Sequence, residues 1–161
     1  MLLLYMNELI NVTEVVNMKS GEVKTMNLNY VIFINKRENQ HIFLNEINNH
    51  NILHVYNCSN CAIYLNESNF EIFEKIIIYK CDNVQIYIQK NVKIINISNS
   101  NYTNIYIYKR VGSVNIDACR GLIMHGFSQS IHRVPIIIAG GFDIILNIMD
   151  KEEFKLLCNM F

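Results

Sequence analysis

The chain is poor in the residues that punctuate or staple a fold. It has one proline, six glycines and no tryptophan, so few loops demand special backbone angles by composition alone. It has no charge excess either: Lys+Arg and Asp+Glu are both 14 and the formal net charge is zero. That argues against generic binding of a nucleic-acid backbone and against a polybasic membrane anchor. No apolar run approaches the roughly 18 residues that suggest a membrane span. The start, Met1-Leu2-Leu3-Leu4-Tyr5-Met6-Asn7-Glu8, lacks a basic flank and reaches polar residues too soon for a signal peptide. The cysteines are Cys58, Cys61, Cys81, Cys119 and Cys158. An odd number without a secretory signal points to reduced thiols in an intracellular, cytoplasmic protein. HExxH, GxSxG, GxGxxG and the P-loop are all missing, and with them the chemistries those motifs carry.

What is present is apolar and repetitive. Hydrophobic residues make up 51% of 161 residues, too many for a disordered chain and enough for one domain. Ile occurs 27 times and Asn 24 times. Genome base composition produces such bias as readily as function does, so the pattern carries the information and the counts do not. Ile52-Leu53-His54-Val55-Tyr56-Asn57-Cys58-Ser59-Asn60-Cys61-Ala62-Ile63-Tyr64-Leu65 matches the segment from Lys75 to Ile88 at an offset of 23 residues. Further copies run over 95–107, 114–126 and 136–148, with a weaker one over 32–44. Their centres are Arg37, Cys58, Cys81, Ser100, Cys119 and Gly141.

In a strand, residues two apart share a face. The positions −5, −3, +3, +5 and +7 from the centres are apolar at 27 of 30 sites, with Gln40, Thr103 and Gly126 as exceptions. The opposite parity is apolar at 13 of 24, five of them tyrosines. One consistently oily face, recurring every 19–23 residues, predicts an all-β chain: a right-handed parallel β-helix of about six coils with terminal caps. Asn60, Asn83 and Gly121, each two past a centre, are expected at corners. The reading is a single domain, with residues 1–27 as an N-terminal cap or extension, 28–149 as the coils and 150–161 as a C-terminal cap. Asp150 followed by Glu153 resembles a capping box and predicts a short helix there. The competing fold is an antiparallel sandwich or barrel; the scarcity of Gly-containing hairpin turns counts against it.

No constellation reads as an active site. Cys58-Ser59-Asn60-Cys61 is a CxxC without the second pair that zinc needs, and Cys81 and Cys119 repeat its first position, as a column of small buried or corner residues would. The carboxylates, including Asp117 and Asp143, are scattered and read as solvated surface. We therefore expect no catalytic residue, metal or cofactor. The +6 column carries Phe43, Tyr64, Tyr87, Tyr106, His125 and Asn147. It is expected to stack as an outward aromatic stripe, serving either as a partner surface or as self-stacking without a partner. Lys90, Lys93, Lys109, Arg110, Arg120 and Arg133 fall in or near the middle coils, where they either rim an acidic partner or keep the column soluble. The candidate contact residues are Tyr64, Tyr87, Tyr106 and His125, with Lys93, Arg110, Asp117 and Arg120 as polar neighbours.

Arg110-Val111-Gly112-Ser113-Val114-Asn115-Ile116, followed by Arg120-Gly121, and the late Glu152-Glu153-Phe154-Lys155 resemble the C-terminal domain of cyclase-associated protein (the CARP or C-CAP domain). That β-helix superfamily also includes tubulin-binding cofactor C. The resemblance covers roughly residues 28–157. It implies a non-enzymatic, actin-regulating module that binds monomeric actin, prefers its ADP-bound form and promotes nucleotide exchange, with neither nucleic acid nor membrane as partner. The family's strand-exchanging hairpin has no counterpart before Phe161, which puts a homodimer of that kind in doubt. The alternative is a cofactor C-like GTPase-activating factor acting on tubulin or a small GTPase, carried by Val114-Asn115-Ile116-Asp117-Ala118-Cys119-Arg120-Gly121-Leu122. In that family an arginine finger stimulates hydrolysis. Lys93 stands in the matching place, and a lysine lacks the planar fork that grips a phosphoryl group. A polysaccharide-binding or -cleaving β-helix would be secreted, longer and rich in clustered carboxylates, none of which this chain shows.

Overall fold

A computed structural model of the chain describes residues 15–16, 23–24, 31–44, 52–66, 72–127, 131, 133–150 and 152–153. Two short strands, β1 (Val15–Val16) and β2 (Val23–Lys24), pair antiparallel. The twelve that follow alternate between two sheets. β3 (Val31–Asn35), β5 (Ile52–Tyr56), β7 (Ile72–Tyr79), β9 (Asn91–Ser98), β11 (Val111–Arg120) and β13 (Ile136–Phe142) form one. β4 (His41–Leu44), β6 (Ala62–Leu65), β8 (Gln85–Ile88), β10 (Asn104–Ile107), β12 (Ile123–Phe127) and β14 (Ile145–Met149) form the other. Every neighbouring pair in these sheets is parallel, so the chain winds as a β-helix and the antiparallel alternative is excluded. Most of the expected cap residues 1–27 and 150–161 lie outside the described residues.

The register superposes the repeat centres predicted from sequence. Ile78 pairs with Ile97, Ile97 with Ile116 and Ile116 with Ile138. Val55, Ile63, Ile76, Ile86, Ile95 and Ile105 are fully enclosed between the sheets. Coils about 4.8 Å apart let each aliphatic side chain rest on its equivalent above and below. Of the exceptions in the oily face, Thr103 has a local explanation. Thr103 is buried and donates its hydroxyl to the carbonyl of Asn101 at 3.3 Å, and Gly126 is buried. Gln40 leaves its Oε1 buried without a hydrogen bond.

The corner after each odd-numbered strand from β3 onward is built by two residues in the left-handed region, one before and two after the centre. They are Lys36 and Asn39, Asn57 and Asn60, Lys80 and Asn83, Asn99 and Tyr102, Ala118 and Gly121, and Gly140 and Asp143. The low glycine content thus misleads: asparagine supplies five of these twelve unusual backbone angles and glycine two, because the asparagine side chain tolerates this conformation. Below the last coil, the left-handed turns aim amides at the next coil, as in Asn60 N–H to the Asp82 carbonyl at 3.1 Å and Asn83 N–H to the Asn101 carbonyl at 3.0 Å. The ladder therefore crosses the corner unbroken. Centre side chains close the inside of the turn. Cys58, Cys81, Ser100 and Cys119 each donate to the carbonyl two residues back, on Tyr56, Tyr79, Ser98 and Asp117. Asn83 Nδ2 also donates to Asn60 Oδ1 at 2.8 Å, tying the corners together outside.

Length variation falls on the other side of the coil. Only Gln89-Lys90 joins β8 to β9, and Tyr108-Lys109-Arg110 joins β10 to β11. In β7, β9 and β11 two consecutive residues face outward, at Glu74-Lys75, Lys93-Ile94 and Gly112-Ser113, before alternation resumes. Phe73, Val92 and Val111 precede these bends and are buried, giving the coil a short third side. At Asp150 the predicted capping box is present: its Oδ1 accepts from the Glu152 and Glu153 amides at 2.9 Å, and Glu153 Oε2 accepts the Asp150 amide at 3.3 Å. Glu152 and Glu153 are helical.

Ile97→Ala is predicted to lose about 2–5 kcal/mol in chemical denaturation, whereas Asn101→Ala, on the outer corner, changes stability by less than about 0.5 kcal/mol. Equal losses would contradict the enclosed column.

Candidate partner-binding surface

β6, β8, β10 and β12 bring Tyr64, Tyr87, Tyr106 and His125 into one column, because the in-register ladder places each +6 residue above its equivalent. Their rings stack nearly parallel, with centroids 4.6, 4.5 and 4.7 Å apart, and Phe43 extends the stack below Tyr64 at 4.5 Å. Each such contact is worth about 0.5–1.5 kcal/mol beyond the area it buries. Polar tips are held as well: Tyr87 donates to Gln85 Oε1 at 2.8 Å, and Tyr64 Oη lies 3.2 Å from His41 Nδ1. Burial pushes the Tyr64 phenol up and the His125 imidazolium down from their ordinary pKa values.

The column departs from expectation in one respect. Tyr87 and Tyr106 are only 3% and 4% exposed, so the stripe is not the open aromatic surface expected. Stacked rings hide each other's faces, and Ala62, Tyr64, Tyr108 and Met149 pack beside them. It is a small second core on the outside of one sheet, with Tyr64 half-buried at its lower part.

The four polar candidates are not gathered around it. Lys93, on the third side of the coil, is ion-paired with Glu74 of the coil below. Above it, a Cβ on Gly112 would lie 2.5 Å from the Lys93 carbonyl oxygen, so only glycine fits. Arg110 is exposed in the turn before β11, its amide donating to Asn91 Oδ1 at 3.1 Å. Asp117 and Arg120 are exposed at the opposite end of β11, beside the left-handed corner at Ala118. Lys90 is not a rim residue: it is buried, with Nζ 5.7 Å from the Phe73 ring centroid, and burial lowers its pKa.

The cysteine column is enclosed. Cys58, Cys61, Cys81 and Cys119 are free and buried. Cys81 hydrogen-bonds to Cys58, which with burial holds Cys81 as the thiol, and burial raises Cys61 and Cys119. The same contact with Cys81, helped by the Arg37 and Tyr56 backbone, pulls Cys58 down to about 7. Among the described residues no group of three His, Cys, Asp or Glu side chains is placed to hold a metal, and no helix is long and apolar enough to cross a membrane.

Two exposed aromatics fall outside the candidate list. Tyr102 occupies a left-handed corner position (φ 48°), where the equivalents are Asn39, Asn60, Asn83, Gly121 and Asp143. A bulky residue there costs about 1–2 kcal/mol, yet the side chain is 52% exposed. Phe142, at the corner of the last coil, is 76% exposed. The signal for Tyr102 was present in the sequence: it is the one aromatic in a column of asparagine, aspartate and glycine.

A parallel β-helix with a closed aliphatic interior, buried thiols and exposed corner side chains defines a rigid scaffold for binding. The chain matches the family model described as adenylate cyclase associated (CAP) C terminal over residues 29–156, and it belongs to that family. The family is one of actin-binding, non-enzymatic domains. No curated protein matches the chain.

Burial depresses the pKa of His54 and His125 below the ordinary 6.5, so the fold disfavours their protonation. Their contribution to stability is complete above that pH and is lost as pH falls through it toward the lower folded-state values. The melting temperature is predicted to drop between pH 7.5 and 5.5, and by less in the His54→Asn/His125→Asn double variant. An equal drop in both proteins would contradict this assignment.

Proposed function

We propose that this chain acts in the cytoplasm on monomeric actin, preferring the ADP-bound form and accelerating nucleotide exchange without chemistry of its own. The observation that carries the reading is the family match across residues 29–156, which spans all six strand pairs of the β-helix. The physical mechanism is differential binding. A rigid module that favours an actin conformation with loosely held nucleotide shifts actin toward that conformation, by no more than its preference between the two states. A tenfold preference corresponds to about 1.4 kcal/mol. The stacked coils suit this role because little backbone order is lost on docking. The cofactor C-like alternative is disfavoured by Lys93, which carries no guanidinium fork and is engaged by Glu74.

A homodimer would have a natural seat on the last coil. Ile138, Leu146 and Ile148 occupy inward-facing positions of β13 and β14 yet are exposed, and no described strand covers their outer edge. We propose that a second copy packs there, since bare apolar strand edges favour pairing.

Purified protein is predicted to accelerate release of a labelled nucleotide from monomeric ADP-actin. No acceleration, or capture of tubulin in place of actin, would refute the reading. Light scattering is predicted to give a dimer mass for the full chain and a monomer mass for Ile138→Lys; a wild-type monomer at all concentrations would refute the packing.

A further inference from the structure

We infer that Tyr102, Arg120 and Phe142 form the contact ridge through which this chain grips an acidic, partly apolar segment of its protein partner. The inference rests on the actin reading above and assigns it a surface different from the aromatic column.

The coil register brings the three residues together. Asn101 bridges to Arg120, and Arg120 pairs with Phe142, so Arg120 and Phe142 stand one above the other at the corner. The Tyr102 amide donates to the Arg120 carbonyl at 2.8 Å. Gly121 lies directly above Tyr102, where an added Cβ would meet the ring at 2.8 Å. The glycine leaves the space that the Tyr102 ring occupies, and the glycine is the chain neighbour of Arg120.

Three features set this ridge apart from the rest of the corner column. Tyr102 adopts a left-handed backbone while its ring, resting on Gly121, stays half exposed, so burial in a core does not account for it. Phe142 is the most exposed large hydrophobic side chain among the described residues. Arg120 is exposed and forms no ion pair with any described residue, although Asp117 and Asp143 lie on either side of the corner. An exposed arginine with an exposed aromatic residue in the coil on either side of it in the register matches the composition of interface hot spots. Its free fork calls for a carboxylate, and the rings call for apolar groups beside it. The backbone beneath is locked by the inter-coil ladder, so the ridge is presented without an ordering cost.

The test measures binding of fluorescently labelled monomeric ADP-actin to wild type, Tyr102→Asn, Arg120→Glu and a control, Lys36→Glu, at the corner of the first coil. Tyr102→Asn and Arg120→Glu are each expected to weaken binding at least tenfold, and the control less than twofold. Tyr102→Asn places a residue suited to the left-handed backbone, so its melting temperature is expected to hold or rise while affinity falls, an outcome a purely structural role would not give. Wild-type affinity is expected to fall with added salt, and that of Arg120→Glu to fall less. Wild-type binding that both variants retain within twofold overturns the ridge and leaves the actin reading standing. Failure of the wild type to bind actin overturns the actin reading and this partner assignment with it.

Discussion

Everything in this molecule depends on like residues lying on like residues in successive coils. A single coil encloses nothing; its aliphatic side chains leave water only when the coils above and below cover them. That demand propagates to the corners. A one-residue slip would turn the Ile76, Ile95 and Val114 column outward, and the paired left-handed residues prevent it by passing the hydrogen-bond ladder around each bend. Asparagine at Asn57, Asn60, Asn83 and Asn99 therefore does the work that a glycine-poor chain otherwise lacks residues to do.

The same stacking dictates what the surface offers. Directly superposed side chains become columns, and a column of rings such as Tyr64, Tyr87, Tyr106 and His125 satisfies itself through its own faces. Such a column stiffens the wall more than it advertises a binding site. The recognition surface proposed here lies instead where the column is broken: a tyrosine among asparagines at Tyr102, a glycine above it at Gly121, an exposed arginine at Arg120. A β-helix gains a distinctive surface by departing from its own repeat.

The fold was largely legible because its period-2 alternation and its repeat centres are both local in sequence. Ile78, Ile97 and Ile116 could be aligned by counting, and the register bears that out. The third side of the coil was not legible, since the bends at Glu74-Lys75 and Lys93-Ile94 shift the alternation with no proline or glycine to mark them. Exposure of the aromatic column was misread for a related reason. Parity tells which sheet face a residue takes, and it cannot tell that Tyr108 and Met149, two positions beyond the column, close over Tyr87 and Tyr106. The polar candidates were grouped by coil number, whereas Lys93 and Arg120 belong to different sides of the same winding. Lys90 looked like a surface cation, and only the turn geometry lays it against Phe73.

Methyl NMR on an isoleucine-labelled sample tests the stacked, in-register winding most directly. The account predicts a continuous chain of contacts from Ile78 to Ile97 to Ile116, with amide contacts between strands at the 19-residue offset separating these centres. Close Hα–Hα contacts between neighbouring strands, the mark of antiparallel pairing, together with solvent-exposed methyl groups at these three positions, would contradict it.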